Sequence, residues 1–129
     1  MHRIALAAAF SLAAGAALAD PADGVWRTVP DDNGNFGHVA IAPCGAALCG
    51  TLVRAYDARG AEIESPNVGR RIVWDMAPRG NGEYAGGKVY SPDRDKTYNG
   101  RLTLTAGGLQ VEGCVLGICR DGGTWARVD

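Results

Sequence analysis

At 129 residues the chain is one domain on a prior of about 150 residues per domain. Its 13 Lys and Arg against 14 Asp and Glu leave a formal charge of −1, with no basic excess to meet a nucleic-acid backbone. A 47% hydrophobic, 21% charged composition excludes disorder, and 19 glycines, roughly twice the usual share of about 7%, speak for many turns and against a helical bundle.

The first segment reads as an address. Arg3 precedes an almost wholly apolar run, Ile4 to Leu18, and Ala17-Leu18-Ala19 has the small-x-small form of a signal peptidase site just before Asp20-Pro21. The run is shorter than the roughly 20 residues needed to span a bilayer, and no second one follows. No Cys stands beside the cleavage site to carry a lipid. The expectation is a cleaved signal peptide at residues 1–19, one domain over 20–129, a periplasmic location and no membrane anchor. His38 is then the only histidine left.

Beyond it no long stretch carries apolar residues at helical spacing. Short runs instead predict strands near Gly24–Val29, Phe36–Pro43, Leu48–Tyr56, Arg71–Ala77, Glu83–Tyr90, Thr97–Thr105, Gly108–Val115 and Cys119–Val128. Turn-forming separators divide them, among them Asp32-Asn33-Gly34, Arg79-Gly80-Asn81-Gly82 and Ala106-Gly107-Gly108. Asp57 to Gly69 is the one long connection, with room for a short helical turn. Alternation puts Ile72, Trp74 and Met76 on one face and Arg71, Val73 and Asp75 on the other; Tyr98, Gly100, Leu102 and Leu104 likewise oppose their neighbours. The fold class is all-β: an eight-stranded antiparallel up-and-down barrel or a strongly coiled sheet.

Cys44, Cys49, Cys114 and Cys119 form two pairs of the same C-x4-C spacing. Three connectivities are open to four cysteines, and an exported small domain favours disulfides. Each pair flanks a turn-like tetrapeptide, so its cysteines can face each other across a hairpin at about 4.5–5.5 Å between Cα atoms. Cys44–Cys49 and Cys114–Cys119 are the expected bridges. The rival is a zinc site, at the edge of ligand spacing and built on thiols that export rarely leaves reduced.

Catalytic signatures are missing. His38 stands alone without a metal-ligand pattern, and Ser65 and Ser91 both precede proline in turns. Glu62, Glu64, Asp93 and Asp95 lie in a loop and a turn, and Asp31-Asp32-Asn33-Gly34 lacks the spaced carboxylates of a calcium loop. Arg70-Arg71 with Arg79 and Arg94 fits an anion site or, more commonly, a solvated face. No catalytic residue, metal or cofactor is expected.

The aromatic residues are more informative. First and last strands of a closed barrel are neighbours, so a Trp from one can stack under an Arg from the other, with Trp26 on the first strand and Trp125 and Arg127 on the last, and close the barrel floor. Trp74, Tyr84, Tyr90 and Tyr98, with Arg71, are the candidate lining of a ligand cavity; ordinary core packing is the alternative.

The ordered set Gly24-Val25-Trp26-Arg27-Thr28, Gly86-Gly87-Lys88-Val89-Tyr90-Ser91-Pro92, Lys96-Thr97-Tyr98 and Thr124-Trp125-Ala126-Arg127 resembles the DUF2147 family of small exported bacterial proteins. That resemblance covers essentially the whole chain after the signal. It implies a lipocalin-like barrel, with the Trp–Arg closure of the wider calycin group and no assigned catalysis. One departure stands out: where the family has an N-P-D stretch, this chain has Ser65-Pro66-Asn67-Val68-Gly69, and the acid is lost.

Three functions follow as expectations. The first is binding or carriage of a small, partly apolar or amphipathic ligand in the barrel. The second is a non-catalytic envelope interaction module with a filled interior, and the third an enzyme using carboxylates or arginines. A cavity of about 300 Å³ or more separates the first from the second.

Overall fold

The structure, a computed structural model, describes residues 19–129. The expected signal peptide therefore lies, except for Ala19, outside the described residues. Nine strands follow: β1 Gly24–Arg27, β2 Phe36–Cys44, β3 Ala47–Tyr56, β4 Glu62–Ile63, β5 Arg71–Gly80, β6 Glu83–Ser91, β7 Lys96–Thr105, β8 Gly108–Val115 and β9 Ile118–Arg127.

All pairings are antiparallel, and the order β2-β1-β9-β8-β7-β6-β5-β3 is closed by pairing of β2 with β3. The result is an eight-stranded up-and-down barrel in which full closure removes exposed edges. The two-residue β4 is an extra rung on the end of β3, where Ile63 faces Ala55 and Glu62 faces Tyr56. The seam between β1 and β9 is short, with only Trp26↔Arg127 and Arg27↔Ala126 in register.

Local chemistry explains the hairpins. Asn81 and Gly82 join β5 to β6 with φ of 57° and 78°, the paired positive values whose twist suits a two-residue hairpin. Leu116 and Gly117 join β8 to β9 the same way, at 53° and 79°, although leucine has no intrinsic preference for that region. Directly behind that turn Cys114 faces Cys119, and the two form a disulfide with their Cα atoms 3.9 Å apart. Cys44 and Cys49 bridge the β2–β3 hairpin at 5.7 Å. Among the described residues no free cysteine remains, so the zinc alternative has no thiolates.

Inward-facing positions are filled in one half of the barrel. Trp26, Met76, Leu102 and Leu109 are almost completely buried there, with Ile41, Leu48 and Tyr84 around them. Met76 reaches the axis because Gly100 on β7 has no side chain; a Cβ there would lie 2.5 Å from the Met76 methyl.

Two sequence expectations are corrected. Strict alternation fails in β5: Ile72, Val73 and Met76 are buried while Trp74 is only half-buried. Asp75 takes a φ of 57°, which interrupts the pleat, and Gly87 on β6 admits the displaced backbone of Trp74 and Asp75. The 57–69 connection holds β4 and hydrogen-bonded turns, not a helical turn. The Val68 amide donates to the Ser65 carbonyl at 3.2 Å, and the Gly69 amide ties the loop to the Leu52 carbonyl at 2.7 Å.

Candidate functional site

Strand direction sorts the connections into two ends. The β2–β3, β5–β6 and β7–β8 turns lie at one end with the segment before β1; the β1–β2, β3–β5, β6–β7 and β8–β9 connections lie at the other.

The first end is closed. Asp20–Asp23 form a turn in which the Asp23 amide donates to the Asp20 carbonyl at 2.9 Å and the Ala22 amide to the Asp20 carboxylate at 2.8 Å. This turn sits against the barrel floor, with Ala22 fully buried and its carbonyl accepting from Trp26 Nε1 at 2.9 Å. Arg127 lies over the Trp26 ring, 4.3 Å from its centroid, and donates to the carbonyls of Asp23 and Pro21 at 3.0 and 2.5 Å. Tyr84 reaches the same turn, donating its hydroxyl to Asp20 Oδ1 at 2.5 Å. Burial, and next that bond to a carboxylate, push the Tyr84 phenol above its ordinary pKa.

The second end is open. Between its loops lies a cavity of about 1230 Å³, above the roughly 300–1,000 Å³ typical of small-molecule sites. Its wall includes Val39, Leu52, Ile72, Val89, Val111 and Trp125, and its rim includes Asn35, Asn67, Asp93, Arg94, Arg120 and Asp121. Apolar depth and polar rim are thus separated along one axis.

Tyr90 and Tyr98 line this cavity. Tyr90 is held between partners: Arg70 lies 3.6 Å over its ring, and its hydroxyl donates to Asp95 at 2.7 Å, the bond that chiefly raises its pKa. Tyr98 packs beside Gly113 on β8, where a Cβ would stand 3.4 Å from the tyrosine Cβ. The structure does not bring Trp74, Tyr84 or Arg71 to the same place. Trp74 is opposite Lys88 across β5–β6, Tyr84 belongs to the closed end, and Arg71 is exposed opposite Thr51. Trp125 lies in the cavity wall, and Trp26 is the tryptophan under Arg127.

Several rim carboxylates are already engaged. Asp31 Oδ1 accepts from the amides of Asn33 and Asn35 at 2.8 and 2.9 Å, and Asp121 Oδ1 from Gly123 at 2.8 Å. Arg94 and Arg120 make no ion pair among the described residues. Arg120 escaped notice in the sequence, where it reads as a charge beside a cysteine. Its place in β9 opposite Gly113 brings it to the rim. Val39 carried a legible signal, the alternation of Gly37, Val39 and Ile41.

His38 lies elsewhere. It projects from β2 beside Tyr56, with 3.3 Å between Nδ1 and the tyrosine oxygen, and Phe36 stacks on Tyr56 at 5.1 Å between centroids. Burial, then the charges of Arg27 and Arg54, lower its pKa. No serine, cysteine or carboxylate hydrogen-bonds to it among the described residues.

An eight-stranded cup plugged at one end by a turn over a Trp–Arg pair and open at the other defines a lipocalin-like barrel. The chain belongs to the DUF2147 family, described as an uncharacterized protein conserved in bacteria, whose model matches residues 24–127. Among solved structures it is similar to HP1028 from the human pathogen Helicobacter pylori, a protein described as belonging to the lipocalin family. The TM-score is 0.65 at 18% identity, over 84% of this chain and 83% of that one, a likeness of fold. No curated protein matches the chain.

Proposed function

We propose that this protein binds or carries a small amphipathic ligand in its barrel, in the periplasm. The observation that carries this reading is the cavity of about 1230 Å³, open at one end of a barrel sealed at the other. Apolar groups of the ligand lie against Val111, Leu52 and Trp125, where their removal from water contributes about 25 cal/mol per Å². Its polar group stays at the rim, beside Arg94 and Arg120. A filled interaction module finds no support in so large a cavity. Binding is favoured over catalysis because His38, the one histidine among the described residues, stands outside the cavity without a nucleophile. Two disulfides support export, since reducing compartments rarely retain them.

Trp125 supplies the test, because Trp26 and Trp74 do not line the cavity. Titration with dodecanoate below its micellar concentration is expected to change tryptophan fluorescence saturably. The change should vanish in Trp125→Phe and weaken at least tenfold in Val111→Phe, which fills the wall. No saturable change, or one indifferent to both substitutions, would sink the carrier reading. A native mass spectrum of the protein from its own periplasm then identifies the resident ligand by its added mass.

A further inference from the structure

The closed end contains an unmet acceptor. Asp23 Oδ1 is buried and has no hydrogen-bond partner, while the other oxygen of the same carboxylate accepts from the backbone nitrogen of Asp20 at 3.2 Å. Buried carboxylate oxygens are normally satisfied, so an orphan asks what donor is missing. Asp20 is also the residue that follows the expected signal peptidase site, and Ala19 before it is exposed.

We propose that the α-ammonium of Asp20, created when the Ala19–Asp20 bond is hydrolysed, is a structural element of the closed end, pairing with the Asp23 carboxylate and completing the barrel floor. In the precursor, that nitrogen is an amide with one hydrogen, already spent on Asp23 Oδ2. Hydrolysis by a signal peptidase consumes one water, leaves a carboxylate on Ala19, and turns the amide into an ammonium. The new group carries three donors and a positive charge. One donor keeps the bond to Oδ2, and the others are free to serve the orphaned Oδ1 of the same carboxylate. A charge-assisted bond replaces a neutral one, which is shorter and roughly twice as strong.

The neighbourhood suits a cation. The groups around this nitrogen are the carboxylates of Asp23 and Asp20, the Tyr84 hydroxyl donating to Asp20, and Arg127 of β9. Arg127 does not compete for Asp23's side chain, because its guanidinium is turned to the carbonyls of Pro21 and Asp23. The same turn is thus gripped by β9 through its carbonyls and by β6 through Tyr84. Export and completion of the floor become one event: the barrel closes fully only after the leader is removed.

Intact mass of the exported, oxidised protein should show a chain beginning at Asp20. Its Tm at pH 6.5 should exceed that of a chain retaining Ala17-Leu18-Ala19 by about 4 °C, the shift that one modest interaction produces in a domain of this size. Asp23→Asn should remove the difference between the two chains. Raising the pH to about 10, beyond the ordinary α-amino range of about 7.7–8.0, should shrink it while the Tyr84 phenol stays protonated. A different first residue, equal Tm values for the two chains, or a difference that survives Asp23→Asn would each overturn the proposal. A ligand-binding result of either sign leaves it untouched.

Discussion

The two ends of the barrel use the same strands to opposite purposes. At the closed end Trp26 is 1% exposed, its ring covered by Arg127 and its indole nitrogen bonded to Ala22. Trp125, opposite Leu109 on β8, is buried too, yet one side of it borders the cavity that runs to the open end. Tip residues there are left bare: Leu116 is 95% exposed, with Ile118 and Val115 beside it. One end is organised by hydrogen bonds to a turn, the other by what it leaves empty. Side chains interlocked on all sides supply stability, whereas side chains facing a void lose contacts and make room for a guest.

That contrast is broken most directly at the two tryptophans. Trp26→Ala should lower stability by about 3–5 kcal/mol, because it empties a close-packed site and leaves Arg127 without its platform. Trp125→Ala should cost about half as much, since part of its surroundings is already open, and should enlarge the cavity. Denaturant unfolding monitored by circular dichroism measures both. Equal losses would mean that the cavity wall at Trp125 is packed as tightly as the floor.

The disulfides sharpen the comparison, because Cys44–Cys49 staples a hairpin at the closed end and Cys114–Cys119 one at the open end. Each closes a loop of the same size, with a sequence separation of 5. Chain entropy alone therefore assigns both about 2 kcal/mol. Replacing either pair by serine should cost that much in the same unfolding assay. The open-end staple should also matter locally: its loss should speed hydrogen exchange in β8 and β9, because it backs a turn with leucine at positive φ. Leu116→Asn should partly compensate, by about 1 kcal/mol, since asparagine tolerates that conformation.

Strands and staples were legible because their signals are local. Turn residues at short spacing marked all eight barrel strands, and C-x4-C across a hairpin marked both bridges. The cavity was harder, for physical reasons that particular residues display. Trp74 looked inward until the positive φ of Asp75 interrupted the alternation, an event no neighbouring side chain announces. Tyr84 looked like lining, but its partner is Asp20, 64 positions away, which folds across the floor. Arg120 and Val111 reach the cavity through strand register, a property of pairs rather than of single strands.

The smallest expected effect concerns His38, on the outside of the barrel near its open end. Partial burial, followed by the charges of Arg27 and Arg54, holds its folded pKa below the ordinary 6.5, and Glu62 only partly opposes them. Between the folded value and 6.5 the unfolded chain binds more protons than the folded one, so stability rises with pH through that window. The stabilisation is complete above 6.5 and is lost as the pH falls. Melting temperature should therefore drop on acidification from pH 7.5 to 5.5, and His38→Gln should flatten that slope. The proposed α-ammonium of Asp20 would act in the opposite sense, its contribution being present below the ordinary α-amino range of about 7.7–8.0 and lost as the pH rises. The His38 contribution is accordingly the difference between the wild-type and His38→Gln slopes, measured on chains with the same first residue. A slope that His38→Gln leaves unchanged would mean that His38 does not set the acid sensitivity.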